Sequence, residues 1–171
     1  MLIAGCSGPP SEADFFAAVR EGRTDTVRSM LDKGAQAGAV NRDSQSALLV
    51  AAIDKRSAVL SLLLERGANP NVADKSGQTP LFFAAYNKDA VSASALLKSG
   101  ANANAMTQGG ETPLLRAIFW SDASMVELLI MGGADVHLKS TDPRLPAPLA
   151  FARQGQMSVI VELLTRAGAK D

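Results

Sequence analysis

A step of 33 residues constrains this chain more than any other feature. Thr79-Pro80-Leu81 recurs as Thr112-Pro113-Leu114 and, in degraded form, as Ser46-Ala47-Leu48, each copy 33 positions from the next. The pairs Gly34-Ala35, Gly67-Ala68, Gly100-Ala101 and Gly133-Ala134 keep the same step. A period of this size belongs to stacked repeat architectures, in which each copy touches only its neighbours.

The clearest copy is residues 74–105, DKSGQTPLFFAAYNKDAVSASALLKSGANANA. Thr79 stands where a hydroxyl can accept from the first free N–H groups of a helix. Pro80 takes the first helical position, where its missing N–H costs nothing. Leu81, Ala84 and Ala85 follow at i, i+3 and i+4, a narrow apolar face of mostly small side chains that lets a neighbouring helix approach closely. A second helix is predicted at Ala90–Lys98, presenting Val91, Leu96 and Leu97, and Gly100 supplies the left-handed turn that ends it. Two such short helices cannot bury their apolar faces alone, so copies must stack.

This frame resembles the ankyrin repeat family. The resemblance rests on Gly77-x-Thr79-Pro80-Leu81-x-x-Ala84-Ala85 with Leu96-Leu97-x-x-Gly100-Ala101, and on the same frame from Gly110 through Ala134. It implies an all-α ankyrin-repeat solenoid of about five stacked helix-turn-helix repeats with short hairpin-like loops. One departure stands out. Where the family carries His after Thr-Pro-Leu, this chain has Phe16, Leu49, Phe82, Leu115 and Ala150, so a polar tie between repeats gives way to apolar contact.

The frame divides residues 12–171 into repeats at about 12–40, 41–73, 74–106, 107–139 and 140–171. The first lacks Thr-Pro-Leu and carries Arg20, Glu21, Arg23 and Asp25, the polar exterior that a terminal repeat needs. In it Val27, Met30 and Leu31 face inward. The second has Leu48, Ala51, Ala52, Leu60, Leu63 and Leu64 as core. The fifth is out of step by two: Ala147-Pro148-Leu149 lies 35 after Thr112, and the proline-flanked loop 142–146 absorbs the insertion stiffly. Its second helix is predicted at Ser158–Arg166, with Val161 and Leu164 inward and Glu162, Thr165 and Arg166 outward. Arg153 replaces the second core alanine, as suits an end with solvent on one side.

Residues 1–11 are set apart from the repeats. Leu2-Ile3-Ala4-Gly5-Cys6 resembles a bacterial lipobox, which would make Cys6 a lipidation candidate, and Gly8-Pro9-Pro10-Ser11 reads as a flexible tether. No basic or long apolar stretch precedes the pentapeptide. Two readings stay open: a periplasmic, lipid-anchored protein whose true start lies upstream, or a chance match in a cytoplasmic one.

Chemistry has little to draw on. Acidic and basic residues balance at 17 each, so no basic face invites nucleic acid. One cysteine excludes an intrachain disulfide and a multi-cysteine zinc site. His137 is the only histidine, in a loop position where other repeats carry Asn71 and Asn104, so neither a histidine metal cluster nor a hydrolase triad can be assembled. Gly109-Gly110 lacks a P-loop lysine and reads as a tight turn. The carboxylates show no pairing suited to acid/base work. No catalytic residue, cofactor, metal or small-molecule substrate is expected.

Binding has more support. If Leu114, Ala117 and Ile118 face the stack, Arg116 and Trp120 lie opposite, one turn apart, and could stack on each other, with Phe119 between the two sides. The resemblance implies that the two positions after the alanine pair face a concave groove: Ile53 and Asp54, Tyr86 and Asn87, Phe119 and Trp120. These include the only Tyr and the only Trp, types enriched in binding hot spots. Tyr86 and Phe119 could equally pack against a neighbouring first helix. Loop-tip residues Arg42, Asp43, Lys75, Ser76, Gln78, Gln108 and Glu111 would form a polar rim. The expected function is a monomeric, non-catalytic protein-binding scaffold. The alternative is a dedicated periplasmic inhibitor, immunity or stabilising partner of one enzyme.

Overall fold

The computed structural model describes residues 11–170, so the Leu2–Cys6 pentapeptide and its candidate Cys6 lie outside the described residues. The described residues form ten helices in five pairs. They are α1 (Glu12–Glu21) with α2 (Thr24–Asp32), α3 (Ala47–Ile53) with α4 (Ser57–Glu65), and α5 (Pro80–Tyr86) with α6 (Ala90–Lys98). Two further pairs follow, α7 (Pro113–Phe119) with α8 (Ala123–Met131), and α9 (Pro148–Gln154) with α10 (Ser158–Arg166). First helices pack on first helices, α1 to α3 to α5 to α7 to α9, and second helices form a parallel row from α2 to α10. The result is an all-helical solenoid.

The starts of the short first helices follow from hydroxyl capping. Ser46, Thr79 and Thr112 accept from the backbone N–H of Leu49, Phe82 and Leu115, at 3.1–3.2 Å, and all three caps are buried. A buried helix end needs such an acceptor, because no water is present to replace it. Asp89 and Asp122 cap α6 and α8 through the N–H groups of Ser92 and Met125. The fifth repeat has Ala147 at the equivalent position, and α9 starts with no side-chain cap.

The core is one continuous cluster. Leu48, Ala51 and Ala52, then Leu81, Ala84 and Ala85, then Leu114, Ala117 and Ile118 are buried in register along the first-helix row. The apolar replacements for the family histidine behave as expected where they are large: Phe16, Leu49, Phe82 and Leu115 are buried, whereas Ala150 is exposed. One sequence expectation is corrected. Val91 is 65% exposed, and Ser92, Ala93 and Leu96 carry the inward face of α6. Counting back three and four from Leu96 lands on Ala93 and Ser92, so helical spacing overrides the greater hydrophobicity of Val91.

Polar ties join the copies. Asn71 accepts from the N–H of Asn102 at 2.7 Å and donates to the Gly100 carbonyl at 3.1 Å. Asn104 repeats both bonds one copy later, accepting from Asp135 and donating to Gly133. His137, next in that series, is exposed, and its N–H donates to Asp135. Each hairpin loop is closed by its first side chain. Asn41, Asp74, Thr107 and Ser140 accept from N–H groups two or four residues ahead.

A left-handed residue turns each first helix into its second. It is Gly22 in repeat one, at φ 74°, then Lys55, Lys88, Ser121 and Gln156, all between 53° and 56°. Only glycine takes this conformation without steric cost, so four of the five turns carry strain.

Candidate aromatic face on the first helices

The third, fourth and fifth first helices place aromatic side chains one 33-residue step, or nearly one, apart. Tyr86 is 47% exposed, Phe119 53% and Trp120 38%, in a chain where aromatic residues are only 5% of the total. Trp120 is the hub. Its ring meets Tyr86 edge-on at 5.9 Å and Phe119 edge-on at 5.3 Å, both within the range of favourable aromatic pairs. Phe119 continues the line to half-buried Phe151 at 6.4 Å. Tyr86 and Phe119 thus each meet a ring of the following repeat, Trp120 and Phe151, while about half of each residue stays exposed.

Arg116 supports this row from beneath. Its guanidinium carbon lies 5.2 Å from the ring centre of Phe82, 5.5 Å from Tyr86 and 5.4 Å from Phe119. The side chain is only 16% exposed and is ion-paired with Glu111. Its Nε is buried and, among the described residues, makes no hydrogen bond, which fits a guanidinium committed to ring faces. The expected stack of Arg116 on Trp120 does not form. Two of the three rings around Arg116 belong to the preceding repeat, so the close approach of α5 and α7, rather than the spacing along α7, decides its partners.

Trp120 has a different cation. Lys88, in the left-handed turn after α5, reaches forward to place Nζ 5.7 Å from the Trp120 ring centre and donates to the Trp120 carbonyl at 3.2 Å. Lys88 was not among the residues singled out from sequence. The available signal was Gly22, which marks the left-handed register that Lys55, Lys88 and Ser121 share.

The remaining candidates divide into free and engaged groups. Ile53 and Asp54 are half-buried, with Asp54 ending α3. Asn87 donates to the carbonyls of Ala52 and Ile53, at 3.0 and 3.1 Å, and so ties α5 to α3. Gln108 bonds the carbonyls of Lys75 and Ser76 through its Nε2 and N–H, both at 2.8 Å. Ser76, Gln78, Gln108 and Glu111 come together in a polar groove of ≈ 590 Å³ with Asp142 and Arg144. Arg42 and Asp43 lie elsewhere, at the first-repeat end beside Phe16, Arg20 and Glu21.

Among the described residues no group of three or more His, Cys, Asp or Glu side chains is placed to hold a metal ion. No described helix is long and apolar enough to cross a membrane. Models of ankyrin repeats match two stretches, one described as three copies over residues 56–140 and one as many copies over residues 15–64. The chain belongs to the ankyrin repeat family. Ankyrin repeats serve in general as protein–protein interaction scaffolds and are typically non-catalytic, which gives the aromatic face a natural reading. No curated protein matches the chain.

Proposed function

We propose that this ankyrin stack binds a protein partner, as a monomer, across the groove of its first helices, with Trp120, Phe119 and Tyr86 as anchors. One observation carries the reading: three large rings stand half in solvent, yet are held in fixed geometry by Arg116, Lys88 and one another. Rigid, partly exposed aromatics gain area on binding at little entropic cost, the usual property of hot-spot residues. Ile53 and the loop-tip groove extend the surface towards the second repeat and the hairpins.

The test is capture from cell extract by wild type and Trp120→Ala, with thermal unfolding run in parallel. Trp120→Ala should lose the specifically captured protein while remaining cooperatively folded, at a melting temperature lowered only by the loss of its ring contacts. Equal capture by both would remove Trp120 as an anchor. One stoichiometric companion would favour a dedicated inhibitor or stabiliser, and several would favour an adaptor. The Leu2–Cys6 pentapeptide supports placement of the stack at a membrane surface through a lipid on Cys6. Mass spectrometry of the mature chain with and without Cys6→Ser tests that placement.

A further inference from the structure

Arg116 stands at a position that the rest of the stack fills with apolar side chains. The earlier first helices hold Ala17, Val50 and Phe83 there, and the fifth holds Phe151. All four are buried or half-buried, as packing between neighbouring first helices requires. The counterion departs from the pattern in the same repeat: Gln45 and Gln78 occupy the hairpin position where Glu111 stands. The ion pair is therefore peculiar to the fourth repeat, which also supplies Phe119 and Trp120 and faces Tyr86 across the α5–α7 contact.

Nothing in the stacking calls for a charge here. A largely buried ion pair regains little beyond the hydration that both groups lose, and an apolar replacement of similar volume is often neutral or stabilising. The buried Nε, which makes no hydrogen bond among the described residues, adds to the loss. What the guanidinium does is occupy the space between rings, 5.2 to 5.5 Å from the centres of Phe82, Tyr86 and Phe119. Phe82 is buried, whereas Tyr86 and Phe119 are about half exposed and each meets Trp120 edge-on. A planar cation attracts ring faces and keeps its shape, whereas a flexible apolar chain would leave the two exposed rings free to turn inward over it.

We infer that Arg116, set by Glu111, is a positioning residue of the anchor face: it props Tyr86 and Phe119 outward, holds Trp120 through them, and makes no contact with the partner itself. The pair serves the face at some loss to the fold. This inference rests on the groove reading above and adds which residues keep that surface open.

The experiment compares the full chain as wild type, as Trp120→Ala, as Glu111→Gln, and as the double variant Arg116→Met with Glu111→Gln, which restores the side-chain types of the other repeats. Tyr86 and Trp120 are the only Tyr and Trp, so near-UV circular dichroism in their bands reports this face alone. The double variant should unfold cooperatively at a Tm no more than about 4 °C below wild type, or above it. It should nevertheless lose most of the near-UV signal and the nuclear Overhauser contacts between the Tyr86 and Trp120 rings. Glu111→Gln alone leaves the cation without its partner and should melt below both. In capture from extract, the double variant should lose the same protein that Trp120→Ala loses. An unchanged spectrum with intact ring contacts overturns the inference. A Tm lowered by more than about 4 °C in the double variant also overturns it, because the pair then belongs to the fold. Glu111→Gln melting at or above the double variant overturns the part given to Glu111. Undiminished capture by a double variant that has lost the ring contacts overturns the positioning role. Undiminished capture by Trp120→Ala overturns the groove reading instead, and the two failures stay distinct because the ring contacts are read without a partner.

Discussion

Replacing the left-handed residues between paired helices by glycine should stabilise the stack. Lys55, Ser121 and Gln156 sit at φ 56°, 53° and 55°, where a Cβ crowds the following carbonyl. That conformation costs an L residue about 1–2 kcal/mol. Glycine removes the clash but loses about 0.5–1 kcal/mol through its greater freedom in the unfolded chain. The difference leaves a gain of about 0.5–1 kcal/mol per site, or a rise in Tm of about 1–4 °C for a chain of this length. Lys88→Gly is the internal control. It has the same backbone gain but gives up the bond to the Trp120 carbonyl and the contact with its ring, so its net effect should lie near zero. Lys55→Ala, which keeps a Cβ, should not stabilise. Urea melts with equal slopes would measure the series. If Lys55→Gly and Ser121→Gly both destabilise, or if Lys55→Ala matches Lys55→Gly, the strain argument is wrong.

Three further outcomes follow from the geometry. Ala147→Thr should supply the missing cap of α9 and stabilise by about 0.5–1 kcal/mol in urea melts, whereas Thr112→Val, which orphans the Leu115 N–H, should cost about 1–2 kcal/mol. Burial pushes the Asp89 carboxyl up, but bonds from Ser92 and Ser57 outweigh it and hold the group below its ordinary value of 3.8. Stability from Asp89 is therefore present above that value and lost as pH falls through the lower folded one, so acid titration of the melting temperature should show a shallower fall in Asp89→Asn. Asp142, drawn down to about 2 by Arg144, should begin to add to the same loss at its ordinary value of 3.8 and carry it on to lower pH. Gly110→Ala should destabilise by more than about 1 kcal/mol in thermal melts, because φ is +76° and the new Cβ would meet the Asp142 nitrogen at 2.8 Å.

The fold was legible because the apolar and turn residues repeat at one step. That step, with the two-residue insertion before the fifth repeat, located α6 and α10 at Ala90–Lys98 and Ser158–Arg166, where the structure has them. Val91 misled because its size outweighed its angular position, although Leu96 already pointed to Ala93 and Ser92. The site was legible only residue by residue. Tyr86, Phe119 and Trp120 stand out by type, but the cation–ring pairing does not. Arg116 meets Phe82 and Tyr86, which lie 34 and 30 positions earlier, and Trp120 meets Lys88, 32 positions earlier. A helical wheel sees four residues ahead or behind, and these contacts exist only across the stacking interface. The bonds of Asn87 and Gln108 were hidden for the same reason: a polar side chain facing outward in one repeat bonds the backbone of the repeat before it.

The last helical pair enters through a proline-flanked detour, and neither of its helices has a side-chain cap. In a linear array whose members hold only their neighbours, such an end unzips before the middle does. Phe151 travels with it, and Phe119 would lose the wall it leans on. An end joint of the stack thus borders its recognition edge, and a partner that grips both sides of that joint would clamp it shut.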